Sequence, residues 1–271
     1  MKSKNKVFLE TTIQVDRFSA NPEKKKKIEE ILSKFENLYT STYVKMEYKR
    51  SLIRHLVYLY NVILYDAKNF AECFFKMQPL PPEQLRKIKG ILASFANFFL
   101  SLERGDISKS QESSLLEIAR SYFKNIIEIA WIDFDKKIDS IFNETECLNA
   151  KVGPIFEDGK FYNKISCIQK GKNSCRIVEF FVRHEDSVKK LYNKFIKDES
   201  LDIEQKKMLN IIEKALTFPQ NMKKDKNCFS CGDLIIALEC PKDSLLFTTN
   251  TKHFKPLTAE LEKDYLPLKV E

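Results

Sequence analysis

The sequence predicts an α/β protein, a three-layer αβα sandwich with a central, mostly parallel sheet that is interrupted by a large, mainly helical insertion. Strand and helix patterns alternate at both ends of the chain, whereas mainly helical patterns fill its middle. Such alternation is typical of parallel sheets, because their strands are joined by crossover connections that are usually helices. We therefore assign residues 1–66 and 225–271 to one core and residues 67–224 to the insertion, which contains a β-hairpin near residues 160–183.

The first part of the core begins with a strand and two helices. The apolar run at residues 7–9 predicts a strand that is buried on both faces, and residues 13–18 predict a short helix. Asn21 and Pro22 have the order of an N-cap and a first helical residue, so a second helix begins there.

A second strand and a long helix follow. Residues 38–40 form a weaker strand pattern, and Ser41 and Thr42 are suitable N-caps for a helix. The helical pattern carries Glu47 and continues past Tyr65.

The insertion is predicted to be mainly helical. A proline-rich block at residues 79–82 separates its helices from the core helix before it. Helices are predicted over residues 85–99, 112–142 and 187–216. Residues 160–169 and 174–183 are rich in β-branched and aromatic residues and predict the two arms of the hairpin.

The second part of the core places polar residues beside an apolar helix and a strand. Asp233 comes directly before the apolar helix at residues 234–238, and the strand at residues 245–247 is followed by Thr248, Thr249 and Asn250. Ligands of open parallel sheets bind beyond the carboxyl ends of the strands, which is where the residues after each strand lie.

Four polar residues are therefore expected to converge at that edge: Glu10, Glu47, Asp233 and Asn250. Carboxylate oxygens suit Mg²⁺ or Mn²⁺, and such ions promote cleavage of phosphodiesters. Taken singly, Asp233 is equally explained as an N-cap, Glu47 as a helix surface residue and Asn250 as a turn residue. Only their joint placement favours a metal site.

The four local sequences resemble the motifs of PIN-domain nucleases. The first motif, a buried strand that ends in an acid, is VFLETT at residues 7–12, and the second, an acid early in a helix, is TSTYVKME at residues 40–47. The third, an acid that opens an apolar helix, is GDLIIA at residues 232–237. The fourth, a strand followed by Thr, Asn and a nearby Phe, is LFTTNTKHF at residues 246–254.

The resemblance implies a metal-dependent endonuclease that cleaves RNA, or less often DNA, and leaves a 5′-phosphate and a 3′-hydroxyl. It implies that Glu10, Glu47 and Asp233 hold Mg²⁺ or Mn²⁺ and that Asn250 is an auxiliary catalytic residue. Thr11 and Thr248 would support the site.

Two residues depart from the usual pattern of that family. Glu10 stands where the family usually has Asp, and Asn250 stands where an acid is common. Both departures favour an alternative class, a non-catalytic PIN-like module that binds RNA or a protein.

Composition and charge fit a polyanionic partner and a cytoplasmic location. The net charge of the 271 residues is +8, which favours association with nucleic acid. No apolar segment is long enough to span a membrane, and the apolar run near the start is too short for a signal peptide. A homodimer or an antitoxin-like protein partner stays open as a further association.

Two other features have both a functional and a structural interpretation. The CxxC pair Cys228 and Cys231, with Cys167 and Cys175, could bind zinc, but their spacing favours plain buried thiols. The lysines at residues 24–27, 170–172 and 223–226 could contact phosphates or form solvated surface.

Overall fold

The structure is a computed structural model that describes residues 5–82, 85, 88–92, 112–164, 175–199, 201–223 and 225–268. Its seven strands are β1 (Lys6–Leu9), β2 (Asn37–Ser41), β3 (Ser140–Phe142), β4 (Ile155–Glu157), β5 (Lys160–Tyr162), β6 (Leu245–Thr248) and β7 (Asp264–Pro267). Five of them form one sheet in the order β3-β2-β1-β6-β7, in which all neighbours are parallel. The predicted α/β class and parallel sheet are confirmed.

Helices connect the strands and cover both faces of the sheet. The α-helices are Thr11–Ser19, Pro22–Leu32, Thr42–Tyr48, Arg54–Tyr58, Phe70–Met77, Glu112–Asp133, Ile177–Arg183, Glu185–Phe195, Ile203–Thr217, Asp225–Ser230, Gly232–Glu239 and Thr251–Glu260. Shorter 3₁₀ segments span Leu148–Ala150 and Pro219–Lys223, and π-helical segments span Lys49–Ile53 and Leu59–Leu64.

The central strand β1 is fully buried on both faces, as its apolar sequence predicts. Val7 and Leu9 point into one hydrophobic cluster with the helices that follow β1, whereas Phe8 points into the larger cluster on the opposite face. Alternate residues of one strand thus contribute to two separate cores. This burial fixes the position of the residue that follows the strand, Glu10.

Several predicted helix boundaries are confirmed. Asn21 is the N-cap of the helix that begins at Pro22, and the Asn21 side chain accepts a hydrogen bond from the Lys24 backbone N–H at 2.8 Å. Ser41 is the N-cap of the Thr42–Tyr48 helix and accepts from Val44 N–H. The helical backbone then runs on without a break through residue 64. Most of the helix predicted over residues 85–99 lies outside the described residues.

The helix predicted over residues 112–142 is wrong at its end. The helix ends at Asp133, and residues 140–142 form β3 at the edge of the central sheet. Lys137, four residues beyond this end, has a positive φ of 59°, which a helix does not accommodate, and the Asp139 carboxylate accepts a hydrogen bond from Leu38 N–H at 2.7 Å. One strand of the core sheet therefore comes from the segment assigned to the insertion.

The predicted hairpin arms are also corrected. The antiparallel pair is β4 with β5, joined by Asp158 and Gly159, both of which have positive φ. An Asp-Gly pair is the preferred two-residue hairpin turn, because both positions require positive φ. Residues 165–174 lie outside the described residues. The second predicted arm is instead helical from Ile177, because its buried residues follow helical spacing.

None of the helices in the described ranges combines the length and the apolar character needed to cross a bilayer.

The buried ammonium of Lys49 connects the long helix to the segment that follows β3. The side chain is fully buried, and its Nζ donates to the carbonyl oxygens of Asn149 (3.3 Å), Val152 (2.6 Å) and Lys164 (2.6 Å). Burial lowers the pKa of Lys49 to about 8. Removing this group would leave several buried carbonyls without a donor.

We expect Lys49→Met to lower the free energy of unfolding by about 3 kcal/mol, because hydrogen bonds to a charged group are replaced by unsatisfied carbonyls. Urea denaturation measures this change. The control is Lys136→Met, which removes an exposed lysine paired with Asp133 and is expected to change stability by less than about 1 kcal/mol. Equal effects in the two variants would contradict the structural role of Lys49.

Candidate carboxylate site

Glu10 lies at the carboxyl end of β1 and is 2% exposed. It is the N-cap of the Thr11–Ser19 helix, and its Oε2 accepts a hydrogen bond from Thr12 N–H at 2.8 Å. Its Oε1 accepts from the hydroxyls of Thr12 and of Thr248, the latter at 2.9 Å. The first predicted acid is therefore held by donors from the following helix and from β6.

Glu47 lies on the Thr42–Tyr48 helix, beside Glu10 and the Gly232–Glu239 helix. The Thr11 hydroxyl donates to Glu47 Oε2 at 2.6 Å, so the predicted supporting residue Thr11 contacts the second acid. Glu47 Oε1 faces Gly232 so closely that a Cβ at position 232 would overlap it. Only a glycine at this position lets the two helices approach with Glu47 in this conformation.

Asp233 is the second residue of its helix, and its N-cap position is taken by Cys231, so the alternative role of Asp233 as an N-cap is wrong. Its side chain is 28% exposed, and its Oδ2 lies 2.7 Å from His253 Nδ1. Asn250 Nδ2 lies 3.1 Å from the same histidine nitrogen. His253 thus joins the third acid to the predicted auxiliary residue.

The turn after β6 is held by hydroxyl groups. Thr248 Oγ1 accepts a hydrogen bond from Asn250 N–H at 2.8 Å while donating to Glu10. The hydroxyls of Thr12 and Thr249 lie 2.6 Å apart. These contacts connect the Asn250 turn to the helix after β1.

Glu10 and Glu47 have raised pKa values, and Asp233 lies close enough to contribute to both. Burial raises the pKa of Glu10 to about 7, and repulsion from Asp233 adds to the rise. Burial raises the pKa of Glu47 to about 8, with further contributions from Asp233 and Glu10. The hydrogen bond to Asp233 raises the pKa of His253. Strongly perturbed acids gathered in one place are typical of functional sites.

The donor chemistry fits a divalent cation, although the side chains do not form a finished metal site. Within the described parts of the chain, no three His, Cys, Asp or Glu side chains are grouped closely enough to hold a metal ion. Glu47 Oε1 and Asp233 Oδ1 nonetheless accept no hydrogen bond from any described residue. Such carboxylate oxygens, with the Asn250 amide beside them, are the hard ligands that Mg²⁺ and Mn²⁺ prefer.

The structure brings together all six residues predicted for the site, and it adds three that the sequence analysis missed: Thr12, Thr249 and His253. Thr12 follows Glu10 by two residues, the spacing of a side chain that bonds back to an N-cap. His253 follows Asn250 by three residues on a helix, which places both on one face. Both spacings are visible in the sequence, but they do not show that Thr12 also contacts Thr249 or that His253 contacts Asp233.

The CxxC cysteines belong to the hydrophobic core. Both are buried, and the carbonyl oxygen of Cys228 accepts a hydrogen bond from the Tyr43 hydroxyl at 2.6 Å. Cys231 Sγ lies 3.5 Å from Met222 Sδ, and burial raises the pKa of Cys231 to about 12, so this group is a neutral thiol. Cys167 lies outside the described residues.

Two lysines of the 24–27 run form ion pairs with acidic residues nearby in the chain. Lys24 Nζ lies 2.7 Å from Asp16 and Lys26 Nζ lies 3.9 Å from Glu30. These contacts support the interpretation of this run as a solvated helix face. The lysines at 170–172, and the side chains of the 223–226 run, fall outside the described part of the structure.

Comparisons of the chain with protein-family models, with curated proteins and with solved structures find no match. The fold and the site define an α/β protein with a cluster of acids at the carboxyl ends of its parallel strands. Any function must therefore be argued from these residues themselves.

The raised pKa values predict that stability decreases with rising pH. The carboxyl group of Glu47 titrates near 4.5 in an unfolded chain and at about 8 in the folded protein, so the folded state binds more protons between these values. In EDTA, we expect the free energy of unfolding to fall across this range, with Glu47 contributing on the order of 3 kcal/mol. Urea denaturation at a series of pH values measures it.

Glu47→Gln is the matched variant, because it keeps the shape of the side chain and removes its titration. We expect a shallower decline with pH than in the wild type, with Glu10 and His253 still contributing in the same direction. Identical slopes in the two proteins would contradict a raised pKa at Glu47.

Proposed function

We propose that this protein is a divalent-metal-dependent endoribonuclease with a PIN-like carboxylate site. The observation that carries the proposal is the convergence of Glu10, Glu47 and Asp233, which come from three separate segments. Burial, with repulsion from Asp233, raises the pKa values of Glu10 and Glu47. Repulsion within such a cluster of acids disfavours their charged forms, a bound cation would offset it, and such perturbed acids are typical of functional sites.

The location of the cluster supports the same proposal. Glu10 follows β1, Thr248 is the last residue of β6 and Asn250 follows shortly after it, and β6 pairs directly with β1 in parallel. The carboxyl ends of neighbouring parallel strands form the crevice in which α/β proteins bind their ligands. The positive net charge of the chain, +8, favours a polyanionic substrate such as RNA.

Each residue has a distinct part in this proposed mechanism. Mg²⁺ or Mn²⁺ bound here would act as a Lewis acid, lowering the pKa of a water and stabilising the charge that develops on the phosphate. Glu47 and Asp233 offer free carboxylate oxygens as ligands. Glu10, fixed by Thr12 and Thr248, supplies negative charge at a defined position.

His253 and Asn250 orient the third acid. The hydrogen bond from His253 Nδ1 fixes Asp233 Oδ2 and leaves Oδ1 directed elsewhere. Asn250 lies against the same ring nitrogen and is itself held by Thr248. These contacts limit the rotation of the Asp233 carboxylate, and such preorganisation is what a metal ligand requires.

A non-catalytic RNA-binding module is the second candidate, and the hydrogen bonding of Glu10 favours it. Three donors already occupy the Glu10 carboxylate, as in a residue whose role is to connect β1, the next helix and β6. In that case, the acids would be structural and RNA would bind without a metal.

The decisive experiment is cleavage of labelled single-stranded RNA with Mn²⁺, Mg²⁺ or EDTA. We expect cleavage only with a metal, and a loss of at least about 100-fold in Asp233→Asn, because this variant removes a charged ligand and keeps its shape. The control Asp243→Asn changes an exposed aspartate that pairs with Lys6, and it should cleave like the wild type.

Two other outcomes of this cleavage experiment would contradict the proposed nuclease site. RNA binding in EDTA without cleavage under any condition would favour the binding module. Equal cleavage by the wild type and Asp233→Asn would show that the acids are not the active site.

Gly232→Ala tests the site through Glu47 instead. The added methyl group would displace the flexible end of the Glu47 side chain and leave the backbone in place. We expect cleavage to fall about 100-fold, because a ligand moved by about 1 Å is lost from a metal site. Stability should change little, since the higher helix propensity of Ala, about 1 kcal/mol, offsets the displacement.

Gly90→Ala is the matched control, because a Cβ at residue 90 meets no atom within 4 Å. Cleavage assays and thermal unfolding of both variants check the prediction. Full activity in Gly232→Ala would mean that the position of Glu47 does not matter for cleavage.

A further inference from the structure

A cavity of about 270 Å³ opens directly beside the carboxylate site. Asp233 and His253 border it on one side. The other side is formed by two helices of the segment assigned to the insertion, Glu185–Phe195 and Ile203–Thr217. The cavity therefore lies where that segment meets the core, and a molecule that fills it would lie against Asp233.

The walls of this cavity are largely apolar. Phe195 contributes an aromatic ring that is 4% exposed, and Met208, Ile211 and Pro256 extend the apolar surface. Met208 and Ile211 are partly buried and pack against the main hydrophobic core, so the wall is part of the folded structure. A flat apolar ligand would bury much of its surface here.

Two lysines also line the cavity. Lys252 Nζ lies 3.2 Å from the Asp202 carboxylate, and Lys207 Nζ lies 2.8 Å from Glu204. Both lysine side chains are more than half exposed, so these ion pairs are weak and a phosphate group can replace the carboxylate partner. The cavity thus combines an apolar wall and two cations with two acids, Glu204 and Asp233, of which Asp233 belongs to the carboxylate site.

We propose that this cavity binds one unpaired base of an RNA strand whose neighbouring phosphate lies at the carboxylate site. Unpaired bases are typically bound on aromatic and apolar side chains, with basic residues on the backbone beside them. A base that is stacked and paired in a duplex cannot enter a cavity, so the substrate class is single-stranded RNA. This inference rests on the proposed function, because that function places the neighbouring phosphate at the carboxylate site.

Binding of short fluorescent RNAs in EDTA tests the proposal without any need for cleavage. The set contains one intact single strand, strands that each lack the base at one position, and the intact strand in a duplex. We expect the strand that lacks the bound base to bind about ten-fold more weakly than the intact strand, in line with the stacking contribution of one base. The duplex should bind at least as weakly as that strand. Repulsion by the acids affects all strands alike.

Ile211→Trp fills the cavity, and it should bind the intact strand as weakly as the strand that lacks the critical base. Its matched control is Ile203→Trp on the same helix, at a residue that is 74% exposed and does not line the cavity; it should behave as the wild type. If Ile211→Trp does not fold, Met208→Ala removes part of the wall and should reduce the preference for the intact strand.

The outcomes separate this inference from the proposed ribonuclease activity. A wild-type protein that binds all single strands equally, or an Ile211→Trp protein that keeps the preference, would overturn the base-binding cavity even if RNA is cleaved. A position-dependent preference that Ile211→Trp abolishes would support the cavity even if no cleavage occurs with Mg²⁺ or Mn²⁺.

Discussion

The carboxylate of Glu10 is the constraint on which the candidate site depends. It accepts hydrogen bonds from Thr12 and from Thr248, two residues far apart in the chain that meet only because β1 and β6 pair in parallel. A buried carboxylate without donors would be strongly disfavoured, so the N-cap and the threonine hydroxyl stabilise both the acid and the strand pairing. Folding of the sheet and assembly of the site are therefore one event.

The protein treats its buried charges in two ways. Among the described residues, the ammonium groups of Lys49 and Lys263 are surrounded by backbone carbonyl oxygens. The buried Lys49 donates to three of them, and the partly buried Lys263 donates to the carbonyls of Ala237, Leu238 and Cys240 at the end of the Gly232–Glu239 helix. The acids Glu10 and Glu47 have hydroxyl donors but lie near other acids. The lysines thus have donors matched to carbonyl oxygens, although burial lowers their pKa values, whereas Glu10 and Glu47 retain repulsion from neighbouring acids, which is typical of functional sites.

The segment between the two halves of the core is built into the architecture and does not form a separate appendage. It supplies β3 to the sheet, partners for Lys49 and one wall of the cavity beside Asp233. Its helices Glu185–Phe195 and Ile203–Thr217 approach the acids through apolar residues such as Phe195. The cavity is thus formed jointly by residues of this segment and of the last part of the chain.

The sequence by itself determined the strand β1 and the caps at Asn21 and Ser41, because these depend on local apolar patterns and capping chemistry. For the same reason it determined that four polar residues follow strands or lie near the start of helices: Glu10, Glu47, Asp233 and Asn250. Only the tertiary structure decided the rest. The strand β3 has only three residues, and β7 begins with Asp264 and ends with Pro267, so neither has the continuous apolar run that identifies β1. Both are strands because a neighbouring strand pairs with them. His253 is likewise part of the site through its contact with Asp233, and Thr12 through its contact with Thr249. No local sequence pattern encodes these contacts, because the partners are distant in the chain.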